Sequence, residues 1–575
     1  MGSFFKLANS KFSSKGKIGS LKSTDGKTFT DSTNKTEILG DYFSSAFTTD
    51  DGSVPFIDPV TDDFPDGLNN VNFEPAKILK IIKKLKEGSS GGPDGIRPIF
   101  VKKLANELYI PLAHIFEYLF HAGCVPSDWK VAHITPIYKQ GDPCLPSNYR
   151  PISLTSVFCK IMKSAIKDEM LIYLSRRGLL SRQQHGFLSR HSTATQLLEC
   201  VQDWSVNIRN KSDLDVLYID YTRAFDSCVH SKLLYKLTSQ FEIFDALYFW
   251  IKSFLTERSQ RVVVDGTVSK RYEVLSGVPQ GSVLGPLLFI MFVNDVTLEF
   301  NTNVTCKLFA DDLKIYSVVK SGSDYNPLDN GLEQLIAWSK KWQLGINSSK
   351  CKILHFGKKN PKYNYIINDL QIESVQHVRD LGVEVDDRLK FDHHMQNIIK
   401  KAYQRIGVLF RGFVSRDTKL MTLAYKTYIR PILEYCSEIW SPYLLKDIDA
   451  VEGVQRYFTR RIPGLKTFSY TERLFLLNLE SLEVRRLKKD LVMCYKILNN
   501  FVDINCDNFF EFSVLATRGH TLKLVKPPLV KNNLQQNLFH SRIIDCWNWL
   551  PDNIVTAKSI NSFKASINLC NFSGF

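Results

Sequence analysis

Val216-Leu-Tyr-Ile-Asp220 is an apolar run of four residues closed by a carboxylate. A run this short and this apolar reads as a buried central strand, because a strand covered on both faces loses its polar alternation. Its last side chain then projects from the edge of the sheet. A second feature complements it. Lys307–Tyr316 reads as a hairpin with Ala310-Asp311-Asp312 at its tip. Two strand ends of one sheet would bring three acids together.

The surrounding sequence supplies a mixed framework. Trp129–Val131 and Ile134–Tyr138 read as a strand region, and Tyr149–Tyr173 as a loop followed by a long helix. Arg261–Val264, Asp265-Gly266 and Thr267–Val274 read as a hairpin, since Asp-Gly suits a type I′ turn. Leu284–Val293 reads as a buried helix. Leu328, Leu332, Leu335 and Trp342 fall at helical spacing, with Gly345 as the expected C-cap. Further strands are expected at Cys351–Phe356, Tyr363–Ile367 and Leu381–Val385. Residues 37–125 read as helical, including the amphipathic stretch Lys77–Leu85, and so does most of the chain from about 392 onward. Residues 1–36, rich in Lys, Ser and Thr, are expected to be weakly ordered. Interleaved strands and helices give an α+β core.

Composition removes several classes. At 575 residues and 44% hydrophobic content the chain exceeds one ordinary domain. Its net charge of +15 favours a polyanionic partner, because Lys and Arg release counterions from phosphates, though a basic protein without one would look the same. None of the twelve cysteines forms a C-x2-C pair, which argues against a zinc site or a disulfide scaffold. Met1–Gly19 lacks the apolar core of a signal peptide. Val283–Val293, the longest apolar stretch, is too short to span a bilayer and is broken by Gly285 and Pro286.

Phosphoryl transfer asks little covalent help of a protein and much electrostatic help, chiefly Mg²⁺ held between oxygen ligands and the substrate phosphates. Two or three Asp carboxylates suffice. Asp220, Asp311 and Asp312 at adjacent strand ends would repel one another without a cation. Each piece alone has a plainer reading, since Asp favours turns for backbone reasons and a lone Asp at a strand end is usually just solvated.

Taken together, the motifs resemble the reverse transcriptases of non-LTR retrotransposons, the LINE-like elements of the jockey and CR1 groups. Asp220-Tyr-Thr-Arg-Ala-Phe225-Asp226 resembles motif A, Ser276-Gly-Val-Pro-Gln-Gly281-Ser-Val-Leu-Gly-Pro286 motif B, and Phe309-Ala-Asp311-Asp312 motif C. Gly92-Pro-Asp-Gly-Ile96, Pro136-Ile-Tyr-Lys139, Asn148-Tyr-Arg150-Pro-Ile-Ser153 and Gln184-His-Gly-Phe187 resemble the fingers motifs. Asn347-Ser-Ser-Lys350 resembles motif D and Asp380-Leu-Gly-Val383 motif E. Order and spacing agree over about residues 20–565. Arg430-Pro-Ile-Leu-Glu-Tyr435, Trp440-Ser-Pro442, Tyr470-Thr-Glu-Arg473 and Arg485-Arg486 resemble the tail of the jockey and CR1 polymerases.

The resemblance implies a right-hand polymerase of fingers, palm and thumb with a mainly helical C-terminal region. The implied boundaries are 1–70 for an N-terminal linker or extension, 71–205 for the fingers and the N-terminal extension of the reverse transcriptase, 206–385 for the palm, 386–465 for a thumb-like region and 466–575 for a helical tail. It implies that Asp220 and Asp311 bridge two Mg²⁺ ions, with Mn²⁺ as a substitute. Asp312 becomes the companion acid, and the Tyr221 carbonyl completes one metal's shell. Lys139 and Arg150 clamp the triphosphate of the dNTP, Arg being suited to bidentate contact. Phe225 is the steric gate against a ribose 2′-OH; on local sequence alone it would read as a plain core aromatic. Gln280 and Gly281 lie beside the nucleotide, Lys350 protonates the leaving pyrophosphate, and Leu381 with Gly382 forms the primer grip.

The expected function is RNA-directed DNA polymerisation on an RNA template and a DNA primer or target, with the nucleus implied as location and no membrane partner. The alternatives are an inactive or domesticated copy acting only as an RNA-binding protein, and another reverse transcriptase class such as an intron maturase or telomerase. Family members usually begin with an apurinic-type endonuclease. No such motifs are legible before residue 90, nor is a C-terminal nuclease or zinc knuckle, so a 5′-truncated copy is expected.

Overall fold

The computed structural model describes residues 18–55, 67–320, 326–413, 415–513, 519–526 and 536–572. Two five-stranded sheets organise the first two thirds of the chain. The strands are β1 (Leu21–Lys22), β2 (Thr28–Phe29), β3 (Val131–Tyr138), β4 (Tyr149–Leu154), β5 (Asp213–Ile219), β6 (Arg258–Val264), β7 (Thr267–Val268), β8 (Tyr272–Val274), β9 (Thr305–Phe309), β10 (Asp312–Val319), β11 (Lys352–Phe356), β12 (Ile366–Ile367), β13 (Leu370–Gln371), β14 (Glu373–Val375), β15 (His377–Asp380) and β16 (Val383–Asp386).

The sheet that carries the acids runs β14-β11-β5-β10-β9, so the apolar run is its central strand. Antiparallel β10 and β11 flank β5. The sheet divides two hydrophobic cores. Leu217 and Ile219 of β5 face one, while Leu214 and Val216 face the other. The first core takes in the helix Gly285–Phe292 and the helices Val157–Arg177 and Pro327–Lys341. The second takes in Asp392–Gly412, Leu445–Arg460 and Leu482–Leu498. A central strand buried on both faces is why the sequence shows no polar alternation there.

The second sheet runs β4-β3-β6-β7, with β8 also paired to β6. It carries Arg150, with Ile137 opposite it in the β3–β4 register, and Lys139 follows one residue past the end of β3. Asp265 and Gly266 both have positive φ, 50° and 84°, as the β6–β7 turn requires. Among the described residues no helix is long and apolar enough to cross a membrane.

Several local expectations are corrected. Residues 18–36 are ordered: β1 and β2 pair, and the helix Ser32–Ser44, capped by Asp31, packs on the second sheet. Buried Leu21, Leu39 and Phe43 give this segment its own core with Ile134 and Val262. Residues 1–17 lie outside the described residues. Trp129 belongs to the helical turn Ser127–Lys130, not to a strand, and Tyr149–Leu154 is a strand, not a loop. The helix after Asn326 is capped at Trp342, and Gln343, not Gly345, takes the left-handed conformation (φ 54°). Gly345 instead accepts a bond from the Thr222 N–H at 2.7 Å. Leu381 and Gly382 are the turn between β15 and β16, not strand residues, and the strand expected over Tyr363–Ile367 shortens to β12.

Candidate active site

The β5–β10 register places Leu313 opposite Ile219, so the next residues outward, Asp312 and Asp220, are level at the end of the sheet. β9 and β10 are joined by the two-residue turn Ala310-Asp311, because Asp312 pairs with Phe309. Ala310 has a φ of 58°, a left-handed conformation that an alanine adopts only at a cost of about 1 kcal/mol. Gln184 holds it there. Its Oε1 accepts from the Ala310 N–H at 2.8 Å and from the Gly186 N–H at 2.7 Å, and the side chain is fully buried. Backbone bonds from His185 N to Leu308 O and from Leu308 N to Gln183 O seat this segment along β9.

The acids feel one another. Burial, with the charge of Asp220 added to it, raises the Asp311 carboxyl above the usual range, while Arg150 and Lys139 pull it back. Asp312 reaches solvent, yet burial of its inner side and the Asp311 charge push it up to about 6. The Lys350 ammonium lies 3.3 Å from Asp220 Oδ2. Asp220 O accepts from Asn347 N at 2.7 Å, and Thr222 N donates to Gly345 O. These two bonds flank Tyr221, whose carbonyl lies outside them and whose ring is buried.

Among the described residues no three His, Cys, Asp or Glu side chains close into a ready-made metal cage. The donor set here is all oxygen and crowded with negative charge. Mg²⁺ is commonly held by one or two carboxylates, with substrate phosphates and water completing its shell. The residues fit a divalent cation.

Motif A and motif B are locked together. Gly277 has a φ of 86°, and a Cβ on it would sit 2.7 Å from the backbone of Asp226, so only glycine fits. Ser276 Oγ donates to Asp226 O, Val278 N to Phe225 O, and Gly277 N to Cys228 O. Phe225 stacks on Phe289 with ring centroids 4.3 Å apart, and Phe187 meets its edge at 6.3 Å. Gln280 turns its amide nitrogen to both Asp226 oxygens, at 3.0 Å each. Its backbone carbonyl accepts from Ser153 N at 2.8 Å, which ties the loop to β4, and Gly281 passes close to Ile152 and Ser153.

Near the same end of β10, Leu381 and Gly382 both have positive φ, 45° and 91°. Tyr435 braces this turn, donating through its hydroxyl to Leu381 O at 2.8 Å. Asp380, just before it, forms a buried ion pair with Lys314 of β10.

Asp220, Asp311, Asp312, Lys350, Lys139 and Arg150 therefore share one electrostatic neighbourhood. Gln184, Asp226, Lys314, Asp380 and Tyr435 had no assigned role in the sequence, although four of them stand inside or beside quoted motifs. Of these, Lys314 carried a signal, a charge between the apolar Leu313 and Ile315 of a buried strand.

Residues 137–385 match the family described as reverse transcriptase (RNA-dependent DNA polymerase). The chain is 30% identical over 417 residues to the RNA-directed DNA polymerase from mobile element jockey of Drosophila melanogaster, covering 70% of this chain and 45% of that protein. It is 27% identical over 412 residues to the probable RNA-directed DNA polymerase from transposon X-element of the same fly, covering 69% of this chain and 44% of the relative. The probable RNA-directed DNA polymerase from transposon BS, also of that fly, is 28% identical over 407 residues, covering 67% and 44%. The matched part thus spans less than half the length of these relatives. Residues 137–385 thus carry a reverse transcriptase domain, and the chain is similar over that region and beyond it to the polymerases of the jockey and X-element mobile elements.

Proposed function

We propose that this chain is an RNA-directed DNA polymerase that extends a DNA primer or target end on an RNA template, using dNTPs and two Mg²⁺ ions, with Mn²⁺ as a substitute. The observation that carries the reading is the meeting of Asp220, just past β5, and Asp311, in the turn before β10, within electrostatic reach of Arg150 of the second sheet and of Lys139 just past β3. Acids that need a cation on one side of a cleft, and cations suited to phosphates on the other, are what nucleotidyl transfer from a triphosphate requires. The family match supports the same chemistry.

In this reading Asp220, Asp311 and the Tyr221 carbonyl are the metal ligands, and Asp312 is the companion acid. Bound divalent cations would neutralise the phosphate oxygens and acidify the primer hydroxyl. Lys139 and Arg150 orient the triphosphate, and Lys350 supplies a proton to the departing pyrophosphate. Phe225, fixed by its stack on Phe289, excludes a 2′-hydroxyl. Gln280 and Gly281 line the nucleotide's other side, and the Leu381-Gly382 turn supports the primer. The layout is a right hand: fingers over 71–205, palm over 206–385, a thumb-like region over 386–465, a helical tail over 466–575 and an N-terminal extension before them. Copying onto chromosomal DNA would place the work in the nucleus.

Primer extension on an RNA template tests this. Purified protein should extend a DNA primer with dNTPs and Mg²⁺, and Asp311→Ala with Asp312→Ala should abolish extension. Full activity in that double variant would sink the site assignment. A wild-type chain that binds RNA without extending any primer would sink the enzyme reading.

A further inference from the structure

Asp226 closes motif A, six residues after Asp220, and nothing in the proposed chemistry uses it. Its backbone is held from three sides. Ser276 Oγ donates to its carbonyl at 2.7 Å, its own N–H donates to Arg223 O at 2.8 Å, and Gly277 leaves no space for a side chain against its Cα. With the backbone fixed, the carboxylate reaches one hydrogen-bond partner among the described residues: the Gln280 amide nitrogen lies 3.0 Å from both oxygens. Asp226 and Gln280 also line a small cavity with Ser153, Ser276 and the buried Arg258.

We propose that Asp226 is a positioning residue that fixes which end of the Gln280 amide faces the nucleotide side of the site. A carboxylate only accepts hydrogen bonds, so Gln280 must present its NH₂ group to it. The amide oxygen, Oε1, is then turned away from Asp226. Gln280 becomes an acceptor toward the site, suited to a hydroxyl or amino donor of the incoming nucleotide or template base. An unrestrained amide would offer either end, and half of its population would meet such a donor with another donor.

The charges around Asp226 bear on this lock. Burial pushes its carboxyl up to about 6, against the Gln280 amide, Arg223 on its own segment and Arg150 from β4. Arg258 of β6 also lines the cavity, with its guanidinium turned to Phe254, where it donates to the backbone carbonyl. A protonated Asp226 can donate, and the fixed orientation of Gln280 is then lost.

The inference rests on the polymerase reading, and steady-state primer extension with a double-mutant cycle separates the two. Asp226→Asn should raise KM for dNTP about fivefold, the scale of one hydrogen bond, and change kcat less. Gln280→Ala should raise it by at least as much. The double variant should be no worse than Gln280→Ala alone, since Asp226 acts only through that side chain. Single effects that multiply in the double variant would overturn the inference. Should Asp226→Asn fail to fold, the exchange Asp226→Asn with Gln280→Glu keeps donor facing acceptor and should recover most of the KM lost in Gln280→Glu alone. A folded exchange variant with no recovery would also overturn it. Wild-type protein that extends no primer would instead remove the polymerase reading beneath it.

Discussion

Lys314, two residues into β10 from Asp312, and Asp380, at the end of β15, form a buried ion pair that joins the strand bearing Asp312 to the turn of Leu381 and Gly382. Both side chains are almost wholly shielded from water. The Asp380 charge raises Lys314, against the effect of burial. The pair thus fixes the spacing between the acid-bearing turn and the turn of Leu381 and Gly382.

Lys314→Met should therefore destabilise the protein by about 3–5 kcal/mol, because it strands a buried carboxylate. The double variant Lys314→Met with Asp380→Leu should recover much of that stability. Chemical denaturation reads both. Primer extension by the double variant should still be weakened, since stability returns without the register the pair imposed. A Lys314→Met variant as stable as wild type would remove the pair from the account.

Gln184 is the second brace, acting on the opposite side of the same hairpin. Gln184→Ala leaves the buried N–H groups of Ala310 and Gly186 without their acceptor, a cost of about 1–3 kcal/mol. Extension should fall more steeply than stability does, because the Ala310-Asp311 turn relaxes. Gln184→Glu keeps an acceptor oxygen and should be milder. Equal losses in the two variants would mean that the amide nitrogen, not the oxygen, matters.

Phe225 is half-buried and stacked on Phe289, so its ring cannot swing aside without breaking that contact. Phe225→Ala should lower discrimination against ribonucleotides by about 10- to 200-fold, the range available to a steric contact. Competition between a dNTP and its rNTP measures it. An unchanged ratio would reject the gate.

Acid titration gives a fourth prediction. Asp312 is raised to about 6 from an ordinary 3.8. Between those values the folded protein keeps a proton that the unfolded chain has released, so stability contributed by this group is present below the window and is lost as pH rises through it. Melting of metal-free protein between pH 4.5 and 7 should therefore show a smaller decline in Asp312→Asn than in wild type. Added Mg²⁺ should raise the wild-type melting temperature at pH 7.5, with a weaker effect below pH 6, where the acids hold protons. Identical pH profiles for the two proteins would exclude Asp312 from this coupling.

Much of this molecule is legible along the chain. The apolar run closing on Asp220 determines a central strand, because burial on both faces leaves no polar alternation to read otherwise. Asp-Gly at 265–266 determines a turn, because few residues accept positive φ there. The ordered motifs point to the reverse transcriptase domain that residues 137–385 match, since each stands at its own distance from the next. Tertiary structure alone decided which distant polar groups meet: Lys314 with Asp380 across 66 residues, Asp226 with Gln280 across 54, Gln184 with Ala310 across 126. Periodicity reports which face of an element is apolar. It carries no record of the partner that a single buried polar side chain will find once two cores close around one sheet.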